Sequence, residues 1–270
     1  MIYVIRNLLI VTILIAAIGI LGWVFMWHSN SVRENKVPYD HAFLRGHPRD
    51  VVAYKLPTAR GLKPYSPEHL VSFLKLPEEI VVWLEVRVRI DGTLVAANDQ
   101  LGADDAPKLE AVLGTLLQQS SRRLIINLRG HRAGVHVALA KIIDEAKAGD
   151  RVLIQSPEDG FLKDLRETKP HWLFGTSLPQ VTRMILFSSM GLVSLAQLRG
   201  DVLVIETSPK EHLLNRITDE MIAEAHRRKI KIYAGPVAST EQALQLWRRG
   251  IDSVLTSEPD EVLKSRPQEP

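Results

Sequence analysis

The chain contains no cysteine. Disulfides, zinc–thiolate centres and a cysteine nucleophile are therefore excluded. It also lacks blocks of like charge: 34 Lys and Arg and 31 Asp and Glu are scattered over 270 residues, for a formal net charge of +3. No dedicated nucleic-acid patch is indicated, and no nucleic acid is expected as a partner. No glycine-rich phosphate loop follows the first apolar run, and there is no low-complexity tract or short internal repeat. The sharpest local absence is at the N-terminus, where residues 7–32 include no Asp, Glu, Lys or Arg.

Residues 8–27 are almost wholly apolar, close to the roughly 20 residues that cross a bilayer as a helix. Trp23 and Trp27 sit near the far end, where aromatic rings favour the membrane interface. A secretory signal has a shorter apolar core and ends in a small-x-small site. Gly22-Trp23-Val24-Phe25-Met26-Trp27 is too bulky for one. The expected organisation is a tail at 1–6, an uncleaved transmembrane anchor at 7–27 and a polar juxtamembrane linker at 28–50 with Pro38 and Pro48. One domain at 51–265 and a tail at 266–270 complete it. Arg6 precedes the span, and Arg33 and Lys36 follow it beside Glu34, so the positive-inside bias is small. A short N-terminal tail before a globular domain favours the N-terminus inside and the domain on the extracytoplasmic, periplasmic side.

Beyond residue 50, short apolar runs alternate with amphipathic stretches. The expected strands are 51–54, 81–88, 123–129, 151–156, 171–176, 201–207, 231–234 and 253–256. Several are near-continuous apolar runs, as in strands buried on both faces of a parallel sheet. Between them, 106–119 places Leu109, Val112, Leu113, Leu116 and Leu117 on one helical stripe, and 133–148 does the same with Val137, Ala140 and Ile143. The segment 218–229 opens with Asp219 and Glu220 and closes with Arg227-Arg228-Lys229, matching the helix dipole. Residues 241–249 stop at Gly250. Eight such repeats predict a (β/α)8 barrel; a doubly wound open sheet is the alternative.

Trp83-Leu84-Glu85-Val86-Arg87-Val88-Arg89-Ile90-Asp91-Gly92-Thr93-Leu94-Val95-Ala96-Ala97-Asn98-Asp99 resembles the central motif of glycerophosphodiester phosphodiesterases, Glu-x-Asp-Val … Asp-Gly-x-x-Val-x-x-His-Asp. The Asp91-Gly92 turn, Val95 and Asp99 fall at the family spacing. Ala59-Arg60-Gly61 followed by Pro67-Glu68 is similar to its His-Arg-Gly and Pro-Glu-Asn-Thr elements, and Ile126-Asn127-Leu128-Arg129 to its Ile-Glu-Ile-Lys element. Gly250-Ile251-Asp252-Ser253-Val254-Leu255-Thr256-Ser257-Glu258-Pro259 is similar to its closing segment. The resemblance runs over residues 51–263 and implies a barrel with its site at the C-terminal strand ends.

The family chemistry needs a divalent metal such as Ca or Mg, held by three carboxylates, and two histidines as acid and base. Carried over position by position, the histidines fall on Ala59 and Asn98, and the metal ligands on Trp83, Glu85 and Asn127. A register shifted by two aligns Glu85 with the glutamate and leaves Arg87 in place of the aspartate; the metal pair is broken either way. No catalytic residue and no cofactor is therefore expected. Arg60 and Arg129 stand where the family has an arginine and a lysine near the phosphate, and are the anion-binding candidates. The blander reading pairs them with Glu85 or Glu68. Trp83 either offers a stacking platform or fills the space of the metal.

His69, His131, His136, His171, His212 and His226 lack metal-ligand spacing and read as surface or core-edge residues; His41 and His47 lie in the linker. The resemblance thus implies a membrane-anchored, non-catalytic domain that binds a phosphorylated glycerol, a lipid headgroup or a protein partner. The alternative is an active phosphoric diester hydrolase of lipid metabolism with a rearranged site, for which Glu85 and Asp99 are the nearest carboxylate pair.

Overall fold

The computed structural model describes residues 2–31, 41–46, 49–55, 63–98, 101–118, 120–130, 132–206 and 217–267. Ile2–Ser31 form one continuous helix, α1, longer at both ends than the expected 7–27. Its side chains from Leu9 to Trp23 are all exposed. Among the described residues no helix is long and apolar enough to cross a membrane.

The strands are β1 (Asp50–Ala53), β2 (Val81–Val88), β3 (Leu94–Ala96), β4 (Leu124–Arg129), β5 (Val152–Gln155), β6 (Leu173–Phe174), β7 (Val202–Glu206), β8 (Lys231–Val237) and β9 (Ser253–Thr256). All except β3 pair in parallel, in the order β6-β5-β4-β2-β1-β9-β8-β7. A single bridge, Gly175 to Val202, joins β6 to β7 and nearly closes the ring. Helices α2 (Pro67–Lys75), α3 (Leu109–Gln118), α4 (Val135–Glu145), α5 (Asp159–Thr168), α6 (Leu178–Ser189), α7 (Asp219–Arg227), α8 (Thr240–Arg248) and α9 (Pro259–Lys264) alternate with these strands. This is the (β/α)8 arrangement and not an open doubly wound sheet.

The apolar runs bury both strand faces. Ile125 of β4 points into the barrel with Val52, Trp83, Leu153, Val204 and Leu255. Its neighbours Leu124 and Ile126 point outward against α3 and α4. In α3 the buried residues are the five of the expected stripe. In α4 they are Val135, Leu139, Ala140, Ile142 and Ile143, whereas Val137 is 57% exposed. The apolar stripe of α4 therefore lies on a neighbouring face and excludes Val137. The short strand β3 was not expected. It exists because Asp91-Gly92 reverses the chain: Gly92 has φ +87°, the Asp91 carboxylate accepts from the Thr93 amide at 2.9 Å, and β3 returns antiparallel to β2.

The linker reading of 28–50 also needs correction. Residues Ala42–Arg45 form a 3-10 turn that seats Phe43 and Leu44 inside the barrel. They plug its floor, the end where the strands begin. Arg123 reaches Asp50 with both terminal nitrogens, at 2.5 and 2.7 Å, and donates to the Phe43 carbonyl at 3.1 Å. Lys231 donates to the Leu44 carbonyl at 2.8 Å. Burial opposes the Arg123 charge, but the Asp50 carboxylate outweighs it and holds the guanidinium above its ordinary pKa.

Candidate functional site

The opposite end, where the strands finish, is the mouth. Strand alternation puts Trp83, Glu85 and Arg87 on the inner face of β2, and Asn127 and Arg129 on that of β4. Pairing sets Glu85 beside Asn127 and Arg87 beside Arg129. It sets Asn127 beside Gln155 of β5. Trp83 lies one layer below Glu85 and is fully enclosed, its ring edge-on to Tyr54 at 5.2 Å. The indole thus fills the barrel axis.

Glu85 is only 1% exposed. A carboxylate this deep must be paired if it is charged. Its Oε1 lies 3.3 Å from Lys55 Nζ and 3.4 Å from Arg129 Nη2. Arg129 also reaches across the barrel to Glu206, at the end of β7, at 2.8 Å. Lys55 stands 4.0 Å from Glu206, and the Tyr54 hydroxyl donates to Glu206 at 2.5 Å. Burial, followed by Glu206, pushes the Tyr54 hydroxyl far above its usual pKa, so it remains a donor. The Tyr65 hydroxyl accepts from the Glu85 amide at 3.2 Å.

Below the charges lie polar atoms with no protein partner: Trp83 Nε1, both amide atoms of Asn127, and Gln155 Oε1. The Gln155 amide nitrogen donates to the Thr176 carbonyl at 3.0 Å. Buried groups of this kind are ordinarily satisfied by ordered water or by ligand. Together they offer both donors and acceptors, which suits hydroxyl groups, since each both donates and accepts.

A hard divalent cation needs several oxygen donors, with carboxylates supplying the charge. Among the described residues no three His, Asp or Glu side chains come together to hold one. Of the three positions expected from the sequence, Trp83 offers an N–H, Asn127 a neutral amide, and Glu85 a carboxylate already facing two cations. These residues do not fit Ca²⁺ or Mg²⁺.

Among the sequence candidates, Ala59, Arg60, Asp99, His47, His131 and His212 lie outside the described residues. Asn98 accepts from the Leu101 amide at 3.0 Å and holds a turn. Glu68 is exposed in the first turn of α2. His69, expected near the surface, is instead 3% exposed and accepts from the Tyr65 amide at 2.8 Å. His226 meets Asp252 at 3.1 Å, His171 is exposed, and His41 caps the floor turn. His136 is half-buried on α4. Tyr54, Lys55 and Glu206 were missed. A signal existed for Glu206: it continues the inward series Val202, Val204. Tyr54 and Lys55 likewise follow directly on β1.

With this geometry, comparison with solved structures is decisive for the fold. A glycerophosphodiester phosphodiesterase from Parabacteroides distasonis superposes with a TM-score of 0.63 at 14% identity, covering 81% of this chain and 97% of that one. An Oleispira antarctica phosphodiesterase in complex with the product sn-glycerol-3-phosphate gives 0.58 at 14% identity, over 80% and 96%. A glycerophosphoryl diester phosphodiesterase domain from Mycobacterium tuberculosis gives 0.59 at 14% identity, over 80% and 98%. The fold is that of the glycerophosphodiester phosphodiesterases. No protein-family model and no curated protein matches the chain by sequence.

Proposed function

We propose that this glycerophosphodiester phosphodiesterase-like barrel is held at a membrane by α1, on the extracytoplasmic side, and binds a phosphorylated glycerol at its mouth without hydrolysing phosphodiesters. The observation that carries the reading is the state of Glu85. It is the one carboxylate at the three expected metal positions, and Lys55 and Arg129 already face it at 3.3 and 3.4 Å. Two tethered cations stand where a metal would be needed. The two positions that correspond to the family's histidines carry Ala59 and Asn98, neither of which can exchange protons near neutral pH.

Binding is favoured by the same groups. Lys55 and Arg129 already face Glu85 and Glu206, and a phosphate can compete with those carboxylates for the same cations. Beneath them, the unpartnered atoms of Trp83, Asn127 and Gln155 suit the hydroxyls of a glycerol. The Oleispira relative holds sn-glycerol-3-phosphate. The membrane part rests on the charge-free stretch 7–32 and the unbroken helix Ile2–Ser31.

Full-length protein should bind sn-glycerol 3-phosphate weakly, and less tightly as salt rises. It should not turn over glycerophosphocholine or glycerophosphoglycerol, with Ca²⁺ or with EDTA. Metal-dependent turnover abolished by Glu85→Ala would establish the active hydrolase instead. Affinity unchanged in Arg129→Ala would remove the mouth as the anion site. Reporter fusions after Val51 that work only in the cytoplasm would reverse the topology.

A further inference from the structure

Each of the other barrel helices carries at least one Asp or Glu. α6 carries none. The absence continues to Gly200, so residues 177–200 contain no carboxylate, while Arg183 and Arg199 are present. Over the same stretch large apolar side chains face outward: Leu178 is 60% exposed at the start of α6, and Leu186 57%, Met190 59% and Leu192 37% follow from its last turn onward. The outer stripe of a barrel helix is normally its most polar part, and an apolar cluster there marks a contact surface.

The place of this cluster in the fold indicates its partner. The last turn of α6 meets the start of α7, where Ser188 and Thr218 share a hydrogen bond, and the turn after it descends to the floor, where Arg228, just ahead of β8, donates to the Ser194 and Ala196 carbonyls. The 3-10 turn Val193–Leu195, which follows α6, is where α1 comes against the barrel. Phe43 and Leu44, the next described residues after α1 to be buried, enter the same floor. The proposed anchor, the apolar corner and the chain entry therefore share one end of the barrel, and the mouth occupies the other.

We infer that the end of α6, with Leu186, Met190 and Leu192, rests on the surface of the lipid bilayer that α1 enters, so that the mouth faces away from that bilayer. This rests on the anchor reading given above. The segment itself adds no carboxylate, the adjacent Glu224 is paired with Arg227 and Arg228, and the segment's leucines and methionine can enter the interface. The ligand is taken from the aqueous compartment as a soluble glycerol phosphate ester, not from the adjacent leaflet.

The natural absence of cysteine makes this directly measurable. Single cysteines replace Leu14 in α1, Met190 at the corner, or Ile90, which is 85% exposed in the turn beyond β2 on the mouth side. Each full-length variant carries an environment-sensitive fluorophore in phosphatidylcholine–phosphatidylglycerol vesicles. A lipid-attached quencher should extinguish the labels at Leu14 and Met190, and iodide should extinguish the label at Ile90. A Met190 label that answers to iodide while the Leu14 label answers to the lipid quencher would overturn the docking corner and leave the anchor standing. Loss of lipid quenching at Leu14 as well would bring down the anchor reading itself. An Ile90 label quenched from the lipid would reverse the orientation. A Met190 label shielded in detergent without vesicles, and exposed on dilution, would identify a second copy as the occupant and overturn the proposal.

Discussion

At Glu85 one carboxylate oxygen shares two cations of its own chain, and each cation also faces Glu206. An incoming anion competes with both carboxylates for Lys55 and Arg129. Glu85→Gln keeps the shape and removes one competitor, so affinity for glycerol phosphate should rise about tenfold, the worth of roughly one charge-assisted hydrogen bond. Isothermal titration would register it; lower affinity would show that Glu85 itself contacts the ligand. His69 sets a different residue-scale expectation. Burial lowers its pKa, and Nδ1 can accept from the Tyr65 amide only when unprotonated. The stability this contributes is full above the ordinary histidine value of about 6.5 and is lost as pH falls through the lowered folded value. Thermal melts of His69→Asn should therefore decline less between neutral and mildly acid pH than those of the parent.

That Trp83, Glu85 and Asn127 come together inside the barrel was legible because a motif fixes their spacing along two strands. Of the cations that face Glu85, Arg129 was legible as a pairing partner, and the two lie 3.4 Å apart; Lys55, on another strand end, was not. Which carboxylate faces which cation across a barrel depends on tilt and register, and no local pattern carries these.

Among the elements, the 3-10 turn at the floor is the one most easily mistaken for tether. It is short, lies between His41 and Arg45, and follows a proline-containing segment, so its two buried residues carry no periodicity. Tertiary burial makes it structural. Phe43 is 0% exposed, and Phe43→Ala should cost about 3–5 kcal/mol in a denaturant melt. A soluble domain starting at residue 41 should fold cooperatively, whereas one starting at residue 51 should be markedly less stable, because Arg123 would lose the Phe43 carbonyl and Lys231 the Leu44 carbonyl. Equal midpoints for the two would return the turn to the linker. The eight barrel strands were legible by contrast, since a strand buried on both faces leaves a continuous apolar run whatever its neighbours do. β3 was not: three residues are too few for alternation, and only the Asp91-Gly92 reversal marks it.

At the scale of the molecule the ring has one joint unlike the rest. β6 has two residues, and β6 meets β7 through the Gly175–Val202 bridge. Backbone approach is tight there: a Cβ on Gly200 would fall 2.7 Å from the Gly175 carbonyl carbon. Side chains complete the joint. Asp201 accepts from the Phe174 amide at 2.9 Å, and the Thr176 hydroxyl accepts from the Val204 amide at 3.1 Å. Amides of residues 173–176 and 202–204 should exchange with solvent before those of β2 and β4. Thr176→Val, which deletes the acceptor at similar volume, should hasten them by about 1–3 kcal/mol in opening free energy. Uniform exchange around the ring would contradict this.

The Arg129–Glu206 contact gives that joint a second consequence. It is a strut from β4 to β7, spanning the barrel from one side of the joint to the other. An anion that draws Arg129 away from Glu206 removes the strut, so occupancy of the mouth and closure of the ring oppose one another. Such coupling is reciprocal: whatever tightens the joint between β6 and β7 must weaken the ligand by the same factor.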